Sequence, residues 1–180
     1  MVKIYIDPGH GGSDSGSSGN DLLEKDITLK IALSVRDELK NYEDVSVKLS
    51  RTTDKTVSLS ERTNEANQWG ADYFLSIHLN AGKGTGFESY IHSSLSSSSK
   101  TAKRRSTLHD EIMKTNQLKD RGKKSANFHV LRETQMSAVL TENGFIDTKA
   151  DADLVKKEAY IRKVAKGHAK GIASMFSLNK

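Results

Sequence analysis

The chemistry available to this chain starts with His10, His78 and Glu142. His10 stands in Asp7-Pro8-Gly9-His10-Gly11-Gly12, directly after an apolar run. His78 lies near the end of Tyr73–Asn80, and Glu142 closes Ala138–Glu142. In open α/β sheets, sites form beyond the carboxyl ends of the strands. If these three strands are parallel neighbours, all three side chains meet at one sheet edge. Two imidazoles and a carboxylate are a donor set of hydrolytic zinc centres. For His10 a solvated turn histidine is an equal alternative. His78 shares its strand face with Ser76 and Asn80, while Leu75, Ile77 and Leu79 take the other face. A polar face at a strand end favours a functional histidine over a core one. Glu24 is the third ligand candidate: it opens a helical pattern and falls on the stripe of Ile27 and Ile31, so it points inward. Asp21-Leu22-Leu23-Glu24 also has capping-box spacing, which needs no metal. Spacing leaves both readings of Glu24 open.

The other chemistry-bearing residues have plainer readings. His168 sits on the apolar face of the last helix and is expected to be a satisfied core histidine. His109 is expected to be solvated on a basic helix, and His92 closes a strand with either role open. His129, in Asn127-Phe128-His129-Val130-Leu131, could line a cleft without being a ligand. Arg62 shares a stripe with Leu59 and Ala66, and a half-buried arginine pairs with a carboxylate or caps carbonyls. Lys119-Asp120-Arg121-Gly122-Lys123-Lys124 is expected to be a solvated basic turn. The glycines at 9, 11, 12, 16 and 19 lack the spacing of a phosphate loop, and backbone freedom around a ligand histidine explains them better. There is no G-x-S-x-G elbow for serine catalysis.

Strands and helices must position these groups. Val2 to Asp7, Val45 to Ser50, Tyr73 to Asn80, Phe87 to His92, Phe128 to Arg132 and Ala138 to Glu142 have strand patterns. Glu24 to Tyr42, Thr101 to about Thr115 and Glu158 to Phe176 have helical ones. Ser58-Leu59-Ser60-Glu61 is a capping box opening a helix to about Trp69. Ser93 to Ser99 is a serine-rich loop. The alternation predicts an α/β fold: one domain over 1–180, with a twisted, mostly parallel mixed sheet and helices on both faces. The short gap between Tyr73–Asn80 and Phe87–His92 predicts that these two strands pair antiparallel.

Composition narrows the partners. The 180 residues include no Cys, which excludes disulfides, thiolate zinc sites and thiol nucleophiles. Lys and Arg number 28 against 23 Asp and Glu, a net charge of +5 that favours anionic partners such as a bacterial wall. No apolar stretch is long enough to span a membrane. The first residues run straight into a strand and lack the pattern of a signal peptide.

Taken together, Asp7-Pro8-Gly9-His10-Gly11-Gly12, Glu24, Leu49-Ser50-Arg51, Ser76-Ile77-His78-Leu79-Asn80-Ala81 and Thr141-Glu142-Asn143-Gly144-Phe145 closely resemble the zinc-dependent N-acetylmuramoyl-L-alanine amidases of autolysins, sporulation lysins and phage endolysins. The resemblance covers nearly the whole chain and keeps the motif order. It implies His10, Glu24 and His78 as ligands of one Zn²⁺ and Glu142 as the catalytic carboxylate. It implies that the bond cut joins the lactyl group of N-acetylmuramic acid to L-alanine, with Glu142 taking a proton from water and passing it to the leaving amine. Asn80, Arg121 and His129 are the expected substrate contacts. The expected partners are peptidoglycan and anionic wall polymers, not nucleic acid, for a monomer without a separate wall-binding module. Action on the wall without a signal peptide implies release by mother-cell lysis or a phage route, or a domain taken from a longer protein. The rivals are a zinc peptidase cutting within the wall peptide and a non-catalytic basic wall-binding module.

Overall fold

A computed structural model describes all 180 residues, Met1–Lys180. Along the chain run β1 (Val2–Pro8), β2 (Ser18–Gly19), β3 (Leu22–Leu23), α1 (Glu24–Leu39), β4 (Val45–Leu49), α2 (Leu59–Trp69) and β5 (Tyr73–Asn80). They are followed by β6 (Phe87–His92), α3 (Lys100–Met113), β7 (Asp120–Ala126), α4 (His129–Arg132), β8 (Ser137–Phe145), α5 (Lys149–Val155) and α6 (Glu158–Phe176). Six strands form one sheet in the order β4-β1-β5-β8-β6-β7, and β2 and β3 make a separate small hairpin. Strands β4, β1, β5 and β8 are parallel, β6 runs antiparallel to β8, and β7 runs parallel to β6. The expected α/β class and mostly parallel mixed sheet match this architecture.

Alternation along the strands splits the core into two layers. On one face Ile4, Ile6, Tyr73, Leu75, Ile77 and Val139 pack under α1, α3 and α6. On the other, Tyr5, Phe74, Ala138 and Leu140 pack under Ala66 of α2 and Val130 and Leu131 of α4. Helix α2 starts where its sequence says it should. Ser58 accepts from the Glu61 amide at 3.2 Å, and Glu61 accepts from the Ser58 amide at 2.7 Å. Two amides at the helix start thus find partners reciprocally.

Several local expectations are corrected. Strands β5 and β6 do not pair: β8 lies between them, bonded to both. The connecting loop is drawn across the end of β8 by Asp147, which accepts from the Gly82 and Lys83 amides, and by Asp151, which accepts from Thr85 Oγ1 and the Gly86 amide. Phe128–Arg132 is not a strand. Phe128 precedes the helical turn α4, whose neighbours Val130 and Leu131 both face the core, which strict alternation forbids. The basic turn is instead edge strand β7, paired with β6 through a register shift near Gly122. His109 is buried, because it shares a helical stripe with Arg105, Leu108 and Ile112. Its ring bonds Ser89 Oγ at 2.7 Å and Asp120 Oδ1 at 3.0 Å. His168 is the satisfied core histidine expected: its Nδ1 donates to the Val164 carbonyl at 2.8 Å, and its Nε2 accepts from Thr141 Oγ1 at 3.1 Å.

Candidate metal and catalytic site

The loop after β1 is held in place from below. Asp7, fully buried, accepts from Arg62 Nη1 at 2.7 Å, Ser50 Oγ at 2.7 Å and Ser76 Oγ at 2.8 Å. A buried carboxylate with three donors, one of them cationic, is well satisfied. This is the arginine–carboxylate pair expected of Arg62. The same guanidinium also binds the carbonyls of Pro8 and His10, each at 2.8 Å. Arg51 clamps the other side of the loop, reaching the carbonyls of Pro8 at 3.2 Å and Gly9 at 2.9 Å and that of Lys25 at 2.7 Å. Between these two arginines the chain adopts an uncommon conformation: His10 has φ of 61°. A non-glycine residue in that region costs about 1 kcal/mol or more and persists only where its surroundings impose it.

That conformation delivers the His10 ring to Glu24 and His78. Glu24 Oε1 lies 3.2 Å from His10 Nε2 and 3.1 Å from His78 Nδ1. Glu24 is buried at the start of α1, where the capping reading fails. Leu23 is the N-cap residue and makes no side-chain cap, and the Glu24 carboxylate instead accepts from the distant Ser17 and Leu79 amides at 2.9 and 3.0 Å. Asp14, four residues after His10, bonds His10 Nδ1 at 2.8 Å and so leaves Nε2 to face the cluster. Gly9 makes room for His78: a Cβ there would sit 2.3 Å from the ring carbon Cε1.

One donor atom from each of His10, Glu24 and His78 lies within 4.8 Å of the other two. Two donors held about 2.0–2.1 Å from a tetrahedral zinc are separated by roughly 3.3 Å, close to the two spacings seen here. The chemistry of the set also fits, with two neutral-capable imidazoles and one carboxylate. These residues can therefore hold a divalent metal ion. Without one they form an ionic cluster. Burial pushes the His10 imidazole down, but bonding to Glu24 and Asp14 outweighs it and raises its pKa to about 9. Burial likewise raises the Glu24 carboxyl, but the two histidines hold it well below the usual carboxylate range.

Glu142 lies beside His78 in register on β8. Burial pushes its carboxyl up to about 7; the facing His78 and His10 oppose the rise, and Glu24 and Glu88 add to it. Its Oε2 is buried without a hydrogen-bond partner. His10, Glu24, His78, Asn80 and Glu142 line one cavity of about 480 Å³. A second cleft of about 350 Å³ adjoins His10 and His78 on the α2 side, walled by Val57 and Leu59.

The structure thus brings together five of the residues singled out in the sequence. Arg121 lies one strand beyond Glu88, which it bonds. His129 sits on α4, away from that cavity, with its Nε2 buried and unpartnered. Sequence reading missed Asp14 and Glu88, and singled out Arg51 only as part of the motif Leu49-Ser50-Arg51, with no role. The i, i+4 spacing of His10 and Asp14 was a usable signal for the first. Glu88 carried none, because most of the groups that enclose it come from other strands, Asn80 of β5 and Arg121 and Lys124 of β7.

Comparison with known proteins gives this arrangement its context. The family model described as N-acetylmuramoyl-L-alanine amidase matches residues 4–174. The chain is 59% identical to the N-acetylmuramoyl-L-alanine amidase CwlM of Bacillus licheniformis, over 100% of this chain and 71% of that protein. It is 58% identical to the sporulation-specific N-acetylmuramoyl-L-alanine amidase of Bacillus subtilis (strain 168), over 100% of this chain and 70% of that one. Its fold superposes with a TM-score of 0.94 on the catalytic domain of the amidase CwlV from Bacillus (Paenibacillus) polymyxa var. colistinus, at 33% identity over 99% of this chain and 100% of the other. With the family model covering nearly its whole length and close relatives of one activity, the chain belongs to the N-acetylmuramoyl-L-alanine amidases and acts on the peptidoglycan of the bacterial cell wall.

Proposed function

We propose that this amidase works with one zinc ion held by His10 Nε2, Glu24 and His78 Nδ1, and that Glu142 is its general base and acid. The observation that carries the reading is the shared cavity, which the three-donor cluster of His10, Glu24 and His78 lines together with Glu142, a carboxylate with one buried oxygen left unpartnered. Zinc in such a donor set supplies Lewis acidity, towards a carbonyl and towards water. Glu142 takes a proton from the water that attacks the lactyl carbonyl, and returns it to the nitrogen of L-alanine as the amide C–N bond breaks. In the metal-free protein burial raises this carboxyl above the ordinary carboxylate range, the direction that helps it hold the proton it must return. Asp14 fixes the His10 tautomer, as carboxylate partners of metal-binding histidines do. Asn80 lines the cavity, and Arg121 and His129 contact more distant parts of the substrate. The chain acts as a monomeric catalytic domain over 1–180, binds wall polymers through its net positive charge and has no role for nucleic acid.

The test combines metal content with product analysis. The expected result is about one zinc per chain in wild type, loss of both metal and activity in His10→Ala, and a peptide product with a free L-alanine amino terminus. A zinc-free but active wild type refutes the metal reading. A product cut within the stem peptide refutes the placement of the bond.

A further inference from the structure

In register across the sheet, one face presents His78 on β5, Glu142 on β8 and Glu88 on β6, with β7 next in order. Glu88 is the unexpected member, a fully buried carboxylate in the middle of this row. It accepts from Asn80 Nδ2 at 3.2 Å, Tyr90 Oη at 2.6 Å, Lys124 Nζ at 2.6 Å and Arg121 Nε. Four donors fill the lone-pair sites of a carboxylate. One negative charge faces two cations, so the cluster keeps a net charge of +1. The Lys124 and Arg121 side chains remain 37% and 33% exposed, and each has N–H groups beyond those given to Glu88. The Arg121 guanidinium also stands 5.0 Å from the centre of the Phe145 ring, which helps fix its position.

We infer that Lys124 and Arg121, braced on Glu88, form a subsite for a free carboxylate of the stem peptide, on the residue that follows L-alanine. The inference rests on the reacting centre lying between His78 and Glu142. Strands are about 4.8 Å apart, and both cationic heads reach back over β6, so they lie roughly 7 Å from that centre. Two extended residues span about 7 Å. The peptide would therefore leave the centre across Glu88 towards β7, and the sugar would lie towards Val57 and Leu59 on the α2 side. On that side Arg62 is committed to Asp7 and backbone carbonyls, and Lys25 to Asp54. Its lining sets Val57 and Leu59 beside Thr56, Ser58 and the carboxylate of Asp14, which suits an uncharged sugar better than a carboxylate.

The experiment uses two synthetic muramoyl peptides that differ only at the residue after L-alanine, one with a free carboxylate and one with a carboxamide. Wild-type kcat/KM is expected to favour the carboxylate by about tenfold, the scale of one charge-assisted hydrogen bond at a part-exposed site. Added salt should shrink the preference. Lys124→Met is expected to bring the ratio near one, and Lys124→Arg to keep it. Lys123→Met is the control: it removes the same charge from β7, but Lys123 pairs with Asp110 of α3 on the opposite face, so the ratio should stay at the wild-type value. If Lys124→Met does not fold, Lys124→Gln replaces it, with melting temperature and metal content read on the same preparation. A wild-type ratio near one overturns the subsite. So does a folded, metal-loaded Lys124 variant that loses rate equally on both substrates, because the cluster is then structural. Failure of the underlying reading looks different: a Glu142→Gln protein that still cleaves both peptides moves the reacting centre elsewhere.

Discussion

Replacing Glu142 by Gln separates catalysis from stability, because the two should move in opposite directions. In the unfolded chain this carboxyl ionises near 4.5, and in the folded, metal-free protein near 7. Between those values the unfolded state has lost its proton and the folded state has not, so stability falls as pH rises from about 4.5 to about 7 and is level above that. The move is worth roughly 3 kcal/mol at about 1.36 kcal/mol per tenfold in proton affinity, and partial exposure of the residue reduces the expected effect to about 2 kcal/mol. Gln keeps the shape and carries no charge. Metal-free Glu142→Gln should therefore be about 2 kcal/mol more stable than wild type at pH 8, with the difference shrinking to a few tenths near pH 4.5. Denaturant titration of both proteins at both pH values measures this. In the zinc-loaded protein the same substitution should cost about 10²–10⁴-fold in turnover, the range for a general acid–base group. A Glu142→Gln protein that is less stable at pH 8 and turns over normally would refute the reasoning, since Glu142 would then be a structural carboxylate.

His168 gives a second pH signature with the opposite sign. Burial pushes its imidazole down to about 4, despite the bond to the Val164 carbonyl. Between about 6.5 and 4 the unfolded chain takes up a proton that the folded one refuses, so stability is lost as pH falls through that window, by roughly 3 kcal/mol. His168→Gln should flatten this part of the stability–pH curve, and an unchanged slope would place the titration elsewhere. Arg62→Met leaves Asp7 buried without its cation and should cost about 3–5 kcal/mol in denaturant stability. Because Arg62 also holds the His10 carbonyl, the variant should bind zinc more weakly; full stability with wild-type zinc affinity would show that Ser50 and Ser76 suffice for Asp7.

The legible parts of this protein are those set by short-range pattern. The polar face of Ser76, His78 and Asn80 announced a strand with a purpose at its end, and Ser58 with Glu61 announced the start of α2. Glu24 was ambiguous because a capping glutamate and a ligand glutamate share a position at a helix start. The difference lies in Ser17 and Leu79, whose amides fold onto it from elsewhere. Pairing partners were the least legible. Tyr73–Asn80 and Phe87–His92 are adjacent in sequence, yet the gap between them is filled by a strand about fifty residues further on. Glu88 shows the same limit, since local alternation says only that it faces away from Phe87, not that it is covered. The stripe of Leu108, His109 and Ile112 was readable, and the many lysines and arginines around it hid it.

Strand β7 ends the sheet, so one row of its backbone N–H and C=O groups has no strand beside it. Such an edge is a template for pairing with another copy, and natural sheets blunt it with charge. Arg121, Lys123 and Lys124 fall within four positions of this edge, with Lys119 just before them. Two copies meeting edge to edge would bring these cations together, only partly offset by Glu88 and Asp110. These charges would then keep the enzyme from stacking on itself. A variant stripped of several of these residues should be checked for self-association before any loss of wall activity is assigned to substrate recognition.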